Sequence, residues 1–180
     1  MKNLKDIIVE RLHINKDTAN YYNYHPKTVD ELQELVDKLI KERGNDADLN
    51  DIDTSEITDM YKLFYNSEFN GDISNWDVSN VESMRYMFTY SKFTGENGDI
   101  SNWNVSNVKD MRYMFSLSKF NGDISNWNVS NVENMYCMFY RSEFTGENGD
   151  ISQWDVSKVE NMDRMFKYSP LEKNPPKWYK

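Results

Sequence analysis

The sequence holds one cysteine, Cys137, so no disulfide can brace the fold and the chain reads as made in a reducing compartment. Histidine is almost as scarce: His13 and His25 are the only two, without metal-ligand spacing between them. No apolar run approaches the roughly 20 residues of a membrane span. The N-terminus, Met1-Lys-Asn-Leu-Lys-Asp-Ile-Ile-Val-Glu-Arg-Leu, has neither an unbroken apolar stretch nor a small-residue cleavage site. These absences predict a cytoplasmic chain with no membrane insertion. Positive charge is also in deficit. The net charge is −9, with 8 basic and 10 acidic residues in 1–50, 10 and 19 in 51–169, and 3 and 1 in 170–180. A binder of nucleic-acid backbone needs a basic stripe, so nucleic acid is not an expected partner.

What the sequence does have is narrow and repetitive. Ten Met, twelve Tyr, nine Phe and five Trp sit beside two Ala in 180 residues, as if a few positions were filled again and again by one bulky type. Trp76, Trp103, Trp127 and Trp154 head segments of the type Trp-Asp/Asn-Val-Ser-Asn/Lys-Val, at intervals of 27, 24 and 27 residues. A weaker first copy, Ile52-Asp-Thr-Ser-Glu-Ile57, lies 24 residues before Trp76. The three extra residues always enter where Phe-Asn-Gly-Asp becomes Phe-Thr-Gly-Glu-Asn-Gly-Asp, at 93–99 and 144–150. Length variation confined to one spot marks a surface loop.

Within a copy, Trp76-Asp77-Val78 suits a short strand with Trp and Val inward. Ser79/Glu82, Ser130/Glu133 and Ser157/Glu160 have capping-box spacing, and the three-residue steps Val81, Met84, Met87 match a tight helical turn. Asn-Gly pairs at 70–71, 97–98, 121–122 and 148–149 predict positive-φ turns back to the next strand. One unit cannot bury its apolar side, but stacked units can. The expected fold is therefore an α/β repeat solenoid, leucine-rich-repeat-like, of five coils over 51–169, each a short parallel strand plus a short helical turn. Residues 1–50 form its α-helical N-terminal cap. The capping box Thr28-Val-Asp-Glu31 opens the main helix, Val29, Leu32, Leu35, Val36, Leu39 and Ile40 share one face, and Gly44 closes it. A shorter amphipathic segment, Leu4 to Leu12, precedes it. At the far end 170–180 is a degenerate C-terminal cap in which Lys-Asn-Pro-Pro-Lys blocks further strand pairing. Both ends being capped, a monomer is expected.

The pattern Asp-Ile-Ser-x-Trp-[Asp/Asn]-Val-Ser-x-Val-x-x-Met-x-x-Met-Phe resembles the repeat of BspA-like leucine-rich-repeat surface proteins, including the mycoplasma lipoprotein group. The resemblance covers about 51–169 and implies a cell-surface scaffold for adhesion or protein contacts, without cofactor.

No catalytic residues are expected. Cys137 falls in a variable column with Lys62, Tyr86, Tyr113 and Arg164, so it is predicted to be an exposed thiol without a base. Asp72, Asp99, Asp123 and Asp150 form a column that could offer oxygen ligands to Ca²⁺, but Asp after Asn-Gly is also ordinary turn chemistry, and no metal is assigned. The stronger candidate is a protein-binding face. Arg85, Tyr86, Arg112, Tyr113, Tyr136, Tyr140 and Arg141 are predicted to point outward, with Tyr61, Lys62, Tyr65 and Tyr90 beside them. Tyr and Arg dominate interface hot spots, and these columns vary from copy to copy while the core columns do not. A non-catalytic protein-binding or adhesion module with an unidentified protein partner follows. A structural component of a larger assembly, such as a phage particle, is the alternative, and an acidic nucleic-acid mimic the weaker one.

Overall fold

The computed structural model describes residues 22–180; the segment from Leu4 to Leu12 and His13 lie outside the described residues. The helix expected after Thr28 is present as α1 (Val29–Arg43). The Thr28 hydroxyl accepts the Glu31 N–H, and the Glu31 carboxylate accepts the Lys27 N–H, satisfying two donors at the helix start. Asp30 and Glu31 lie in the first turn and Lys41 and Arg43 in the last, the order the helix dipole favours. Gly44, at φ 94°, ends the helix with its N–H on the Ile40 carbonyl. Leu32, Val36 and Leu39 are buried in the same apolar cluster as Ile57, Met60 and Phe64 of the first repeat copy.

Beyond α1, backbone hydrogen bonds join each copy to the next. The N–H groups of Met84, Tyr86, Phe88 and Tyr90 donate to the carbonyls of Asp110, Arg112, Met114 and Ser116 at 2.9 to 3.0 Å. The N–H groups between them, on Met87, Thr89 and Ser91, fold back onto Met84, Tyr86 and Phe88, each at 3.1 Å. Donors thus alternate between the next copy and the local turn. The same four bonds to a following copy start at Met60, Met111 and Met135. The turns closed by the Met87 and Ser91 N–H groups have a left-handed third residue, Tyr86 and Tyr90, as type II turns do. Two columns supply such residues, Lys62, Tyr86, Tyr113, Cys137, Arg164 and Asn66, Tyr90, Leu117, Arg141, Tyr168, all with φ between 52° and 62°. A side chain in that region costs about 1 kcal/mol or more, so the hydrogen bonds and the core together hold the backbone in it.

This arrangement overturns the α/β repeat solenoid. Among the described residues there is one α-helix, two three-residue 3₁₀ turns (Ile151–Gln153 and Pro170–Glu172) and no sheet. Parallel pairing is limited to isolated bridges such as Asp59 with Ser83 and Ser83 with Asp110. The leucine-rich-repeat-like coil of strand plus helical turn is therefore not what these copies form. The physical reason lies in the alternation of donors. A strand needs an extended run, but here alternate N–H groups close i to i−3 turns and every fourth residue of the turn run is left-handed. The same left-handed residues exclude a helical turn over Val81–Phe88. The predicted capping boxes are replaced too: Ser79 and Ser157 give their N–H groups to Asp77 and Asp155, and Ser130 to Asn128, two residues earlier.

The core is two phenylalanine ladders. Phe64, Phe88, Phe115, Phe139 and Phe166 stack at 5.4 to 5.7 Å with nearly parallel rings. Phe69, Phe93, Phe120 and Phe144 stack at 6.1 to 6.3 Å beside them. The two ladders account for all nine phenylalanines of the chain. The rings of Trp76, Trp103, Trp127 and Trp154 are buried, and each sends its N–H to the preceding copy, to Leu49, Ile73, Ile100 and Ile124 in turn. In the tail, Trp178 continues this column, bonding the Ile151 carbonyl and stacking on Trp154. Asn80, Asn107 and Asn131 add amide bonds to Ser55, Ser79 and Ser106 of the copy before.

The Asn-Gly glycines serve a different purpose from the one expected. Positive φ occurs at Gly44, Gly95 and Gly146, not at Gly71, Gly98, Gly122 or Gly149. A Cβ on Gly71 would lie 2.0 Å from the Ala47 carbonyl oxygen, and one on Gly98 would lie 2.8 Å from that of Gly71. Gly71 and Gly98 are required because the neighbouring copy's backbone passes against them, whereas a Cβ on Gly122 would meet the Phe120 ring and one on Gly149 the Asp123 carboxylate.

Two stability predictions follow from the core and the turns. Truncating Phe115, which stacks on Phe88, Phe120 and Phe139, to Ala is expected to cost about 3–5 kcal/mol in denaturant unfolding. Exposed Asn66, at φ 53°, is tolerant of the left-handed region, so Asn66→Val is expected to cost about 1–2 kcal/mol and Asn66→Gly to be neutral or stabilising. Equal stability of the Val and Gly variants would contradict the left-handed assignment.

Candidate interaction face

The left-handed residues Lys62, Tyr86, Tyr90, Arg141 and Tyr168, with the residues just before them such as Tyr61, Arg85 and Tyr140, form a Tyr/Arg surface beside the turn runs. From copy to copy the rings run Tyr61, Tyr86, Tyr113, Tyr136. Tyr61 meets Tyr86 edge-on at 6.0 Å, Tyr86 stacks on Tyr113 at 4.6 Å, and Tyr113 meets Tyr136 edge-on at 5.3 Å. Arg85 lies over the rings of Tyr61 and Tyr86, at 5.0 and 5.1 Å. Lys62 lies over Tyr61, Tyr65 and Tyr86, at 5.1 to 5.9 Å. Hydrogen bonding to Lys62, then to Arg85, pulls the Tyr61 hydroxyl below its usual pKa.

The predicted residues do not all share one environment. Arg112 is held by its own copy, its Nε donating to both Asp110 carboxylate oxygens at 2.9 and 3.0 Å, and that pairing raises its pKa. Tyr113 is half-buried, and burial with a hydrogen bond to Tyr136 pushes its hydroxyl well above the usual range. Tyr140 and Arg141 belong to a second group one turn further along. Arg141 lies over Tyr140 at 5.5 Å and over Tyr168 at 5.1 Å, and Lys167 also lies over Tyr168. Tyr168 and Lys167 were not singled out from sequence. The signal was there, since Tyr168 stands 27 residues after Arg141 in the same column.

Cys137 corrects the expectation of an exposed thiol. It is buried, and burial raises its pKa, with hydrogen bonding to Tyr136 and Tyr113 acting the other way. A short side chain in a column of long ones is roofed by its neighbours. The Asp column is engaged in turns: Asp72, Asp99, Asp123 and Asp150 accept the N–H groups of Ser74, Ser101, Ser125 and Ser152 at 2.8 to 2.9 Å. Among the described residues no group of three or more His, Cys, Asp or Glu side chains is placed to hold a metal ion. His25 Nδ1 lies 3.1 Å from Asp53, but the Ser55 hydroxyl donates to that same carboxylate and not to the imidazole. The order Ser–Asp–His leaves no base on the hydroxyl, unlike a nucleophile–base pair.

With the face described, relatedness can be stated. The sequence profile of the family described as Mycoplasma protein of unknown function, DUF285, matches residues 30–145 and again 90–178. The chain belongs to that family. Two overlapping matches are what a periodic sequence gives. The match reaches the mycoplasma part of the resemblance and does not extend to BspA-like leucine-rich-repeat proteins. No curated protein and no solved structure matches the chain. Among the described residues no helix is long and apolar enough to cross a membrane.

The acidic groups on this frame give a pH prediction. Arg43 hydrogen-bonds Asp51 and, with Asn23, holds its carboxyl below the ordinary value against the opposing effect of burial. Burial alone would raise Asp53 and Asp72, yet hydrogen bonds from Ser55 and Ser74 leave both lowered. Groups with depressed folded pKa values stabilise fully above their unfolded value of about 4 and lose that contribution as pH falls through the folded value. The melting temperature is therefore expected to be flat from pH 7 to 5 and to drop steeply below about 4. Asp51→Asn should lower the plateau and flatten the acid limb; an unchanged acid limb would remove Asp51 from the account.

Proposed function

We propose that this chain is a non-catalytic protein-binding module and that the Tyr/Arg face on and beside the left-handed columns is where a protein partner docks. The observation that supports it is the placement of exposed large side chains. Among the described residues the exposed large hydrophobics are Tyr61, Tyr65, Tyr90 and Tyr168; Tyr61, Tyr65 and Tyr168 each lie within 6 Å of a Lys or Arg, and Tyr90 meets Tyr65 edge-on at 6.1 Å. Tyr and Arg supply contact area and hydrogen bonds at little entropic cost. Adhesion at a cell surface is the form of this role that the BspA-like resemblance implies. A purely structural part in a larger assembly is the competing role.

Affinity capture from the native source, with wild type beside Tyr86→Ala/Arg112→Ala/Tyr113→Ala, tests the proposal once the variant shows an unchanged melt. A protein retained by wild type and lost by the variant is the expected result. Equal retention by both would remove the face from the proposal, and retention of nothing by either would favour the structural role.

A further inference from the structure

The five copies differ at the residue that opens the turn run, and the difference leaves one guanidinium nitrogen without a hydrogen-bond partner. That position holds Asp59, Ser83, Asp110, Asn134 and Asn161 in successive copies. Where it is Asx, its side chain accepts the N–H two residues on, as Asp59 does from Tyr61, Asp110 from Arg112, Asn134 from Tyr136 and Asn161 from Asp163. In the third copy Asp110 also accepts the guanidinium of Arg112 through both oxygens. The second copy carries an arginine in the same column, Arg85, but Ser83 stands where Asp110 would be. Arg85 Nε is buried without a hydrogen-bond partner, the only such side-chain nitrogen or oxygen among the described residues. A buried donor left unpaired costs about 1–3 kcal/mol.

Around that donor the chain has assembled what a carboxylate would need. Arg85 and Lys62 share the Tyr61 and Tyr86 rings, and among the described residues no salt bridge holds either of them, in contrast to Arg112 with Asp110 and Lys109 with Glu82. Tyr61, Tyr65 and Tyr90, exposed by 36%, 43% and 49%, border them. Arg141 and Lys167 lie in the same way over Tyr140 and Tyr168, and what sets Arg85 apart from them is its unpaired Nε. The chain's own third copy shows which group fits a guanidinium in this column.

We infer that Arg85 and Lys62, on the floor made by Tyr61, Tyr65, Tyr86 and Tyr90, form a docking site for a carboxylate side chain on an acidic segment of a protein partner. The partner's Asp or Glu forks onto the terminal nitrogens of the Arg85 guanidinium, the end of the group that Asp110 also engages on Arg112 through Nη2. Lys62 meets the next acidic residue, and the tyrosines cover the segment's methylene groups. The inference rests on the protein-binding reading and narrows it to the first and second copies and to acidic sequence.

Titration with a blocked hexaglutamate peptide at low salt, read by the Arg side-chain Nε–H signals in ¹H–¹⁵N spectra, tests it. A blocked hexaglutamine peptide and free glutamate serve as controls. Hexaglutamate is expected to shift the Arg85 signal and to bind more weakly as salt is added. Arg85→Gln should weaken it about tenfold and Lys62→Gln several-fold, while Lys119→Gln, whose ammonium is already paired with Glu143, should leave it within about twofold. Arg85→Lys, which keeps charge but loses the fork, should fall between, and it serves where Arg85→Gln melts early. No binding, equal binding of hexaglutamine, or full affinity in both Arg85 variants would overturn the site. Free glutamate binding as tightly as the peptide would also overturn it, by making this a small-anion site. Any of these results with capture still lost in the Tyr86/Arg112/Tyr113 variant would sink the acidic-segment inference alone; capture equal in both proteins would sink the wider reading.

Discussion

Everything in this chain depends on the alternation of backbone donors between the next copy and the local turn. With N–H groups such as those of Met84, Tyr86 and Phe88 committed forward, and those of Met87, Thr89 and Ser91 committed backward, the turn run satisfies its own backbone without strand or helix. Buried backbone groups have to be paired somewhere, and here the pairing is achieved in a conformation that is individually unfavourable at two residues per copy. The phenylalanine ladders offset that cost. Each ring is flat against the equivalent ring of the next copy, so the spacing set by the hydrogen bonds and the spacing wanted by the rings agree. A change in either would disturb both.

How much of this was legible in sequence depends on which physical quantity is asked for. Burial was legible: Trp76, Val81, Met84, Met87, Phe88 and Phe93 are all buried, because identical residues at the repeat spacing have to meet in the stack. The helix α1 was legible from Thr28 and Gly44, whose capping chemistry is local. Backbone conformation was not. A three-residue apolar step suits a tight helical turn and a chain of left-handed turns equally well, and Tyr86 or Leu117 carries no mark of a positive φ in its side chain. Glycine misled in the opposite direction. Asn-Gly is the usual sign of positive φ, yet Gly71 and Gly98 are glycines because a neighbouring carbonyl leaves no room for a Cβ.

The candidate face was half legible for the same reason. Columns gave the outward positions, so Arg85, Tyr86, Tyr140 and Arg141 were found together with their neighbours. What columns cannot give is the difference between members of one column. Arg85 and Arg112 are equivalent by spacing, but one is tied to Asp110 and the other is left with an unpaired Nε. Cys137 and Tyr113 are likewise equivalent, and one is a buried thiol hydrogen-bonded to Tyr136 and Tyr113 while the other is a half-buried ring stacked on Tyr86. Side-chain length and the residue two positions earlier decide these outcomes, and both act within a copy.

The same reasoning bears on how a repetitive surface can be specific at all. A stack of equal copies presents equal rows, and a partner could slide along them by one copy with little loss. Departures from the repeat remove that degeneracy. Ser83 in place of an Asx residue frees Arg85, Asp110 neutralises Arg112, and Cys137 removes a bulky side chain from its column, so no two adjacent copies offer the same charge and shape. The cost of each departure is local and small against the core that all copies share. A frame held by backbone bonds and phenylalanine ladders can thus carry varied surface residues without refolding, which is why variation is concentrated on the face on and beside the left-handed columns.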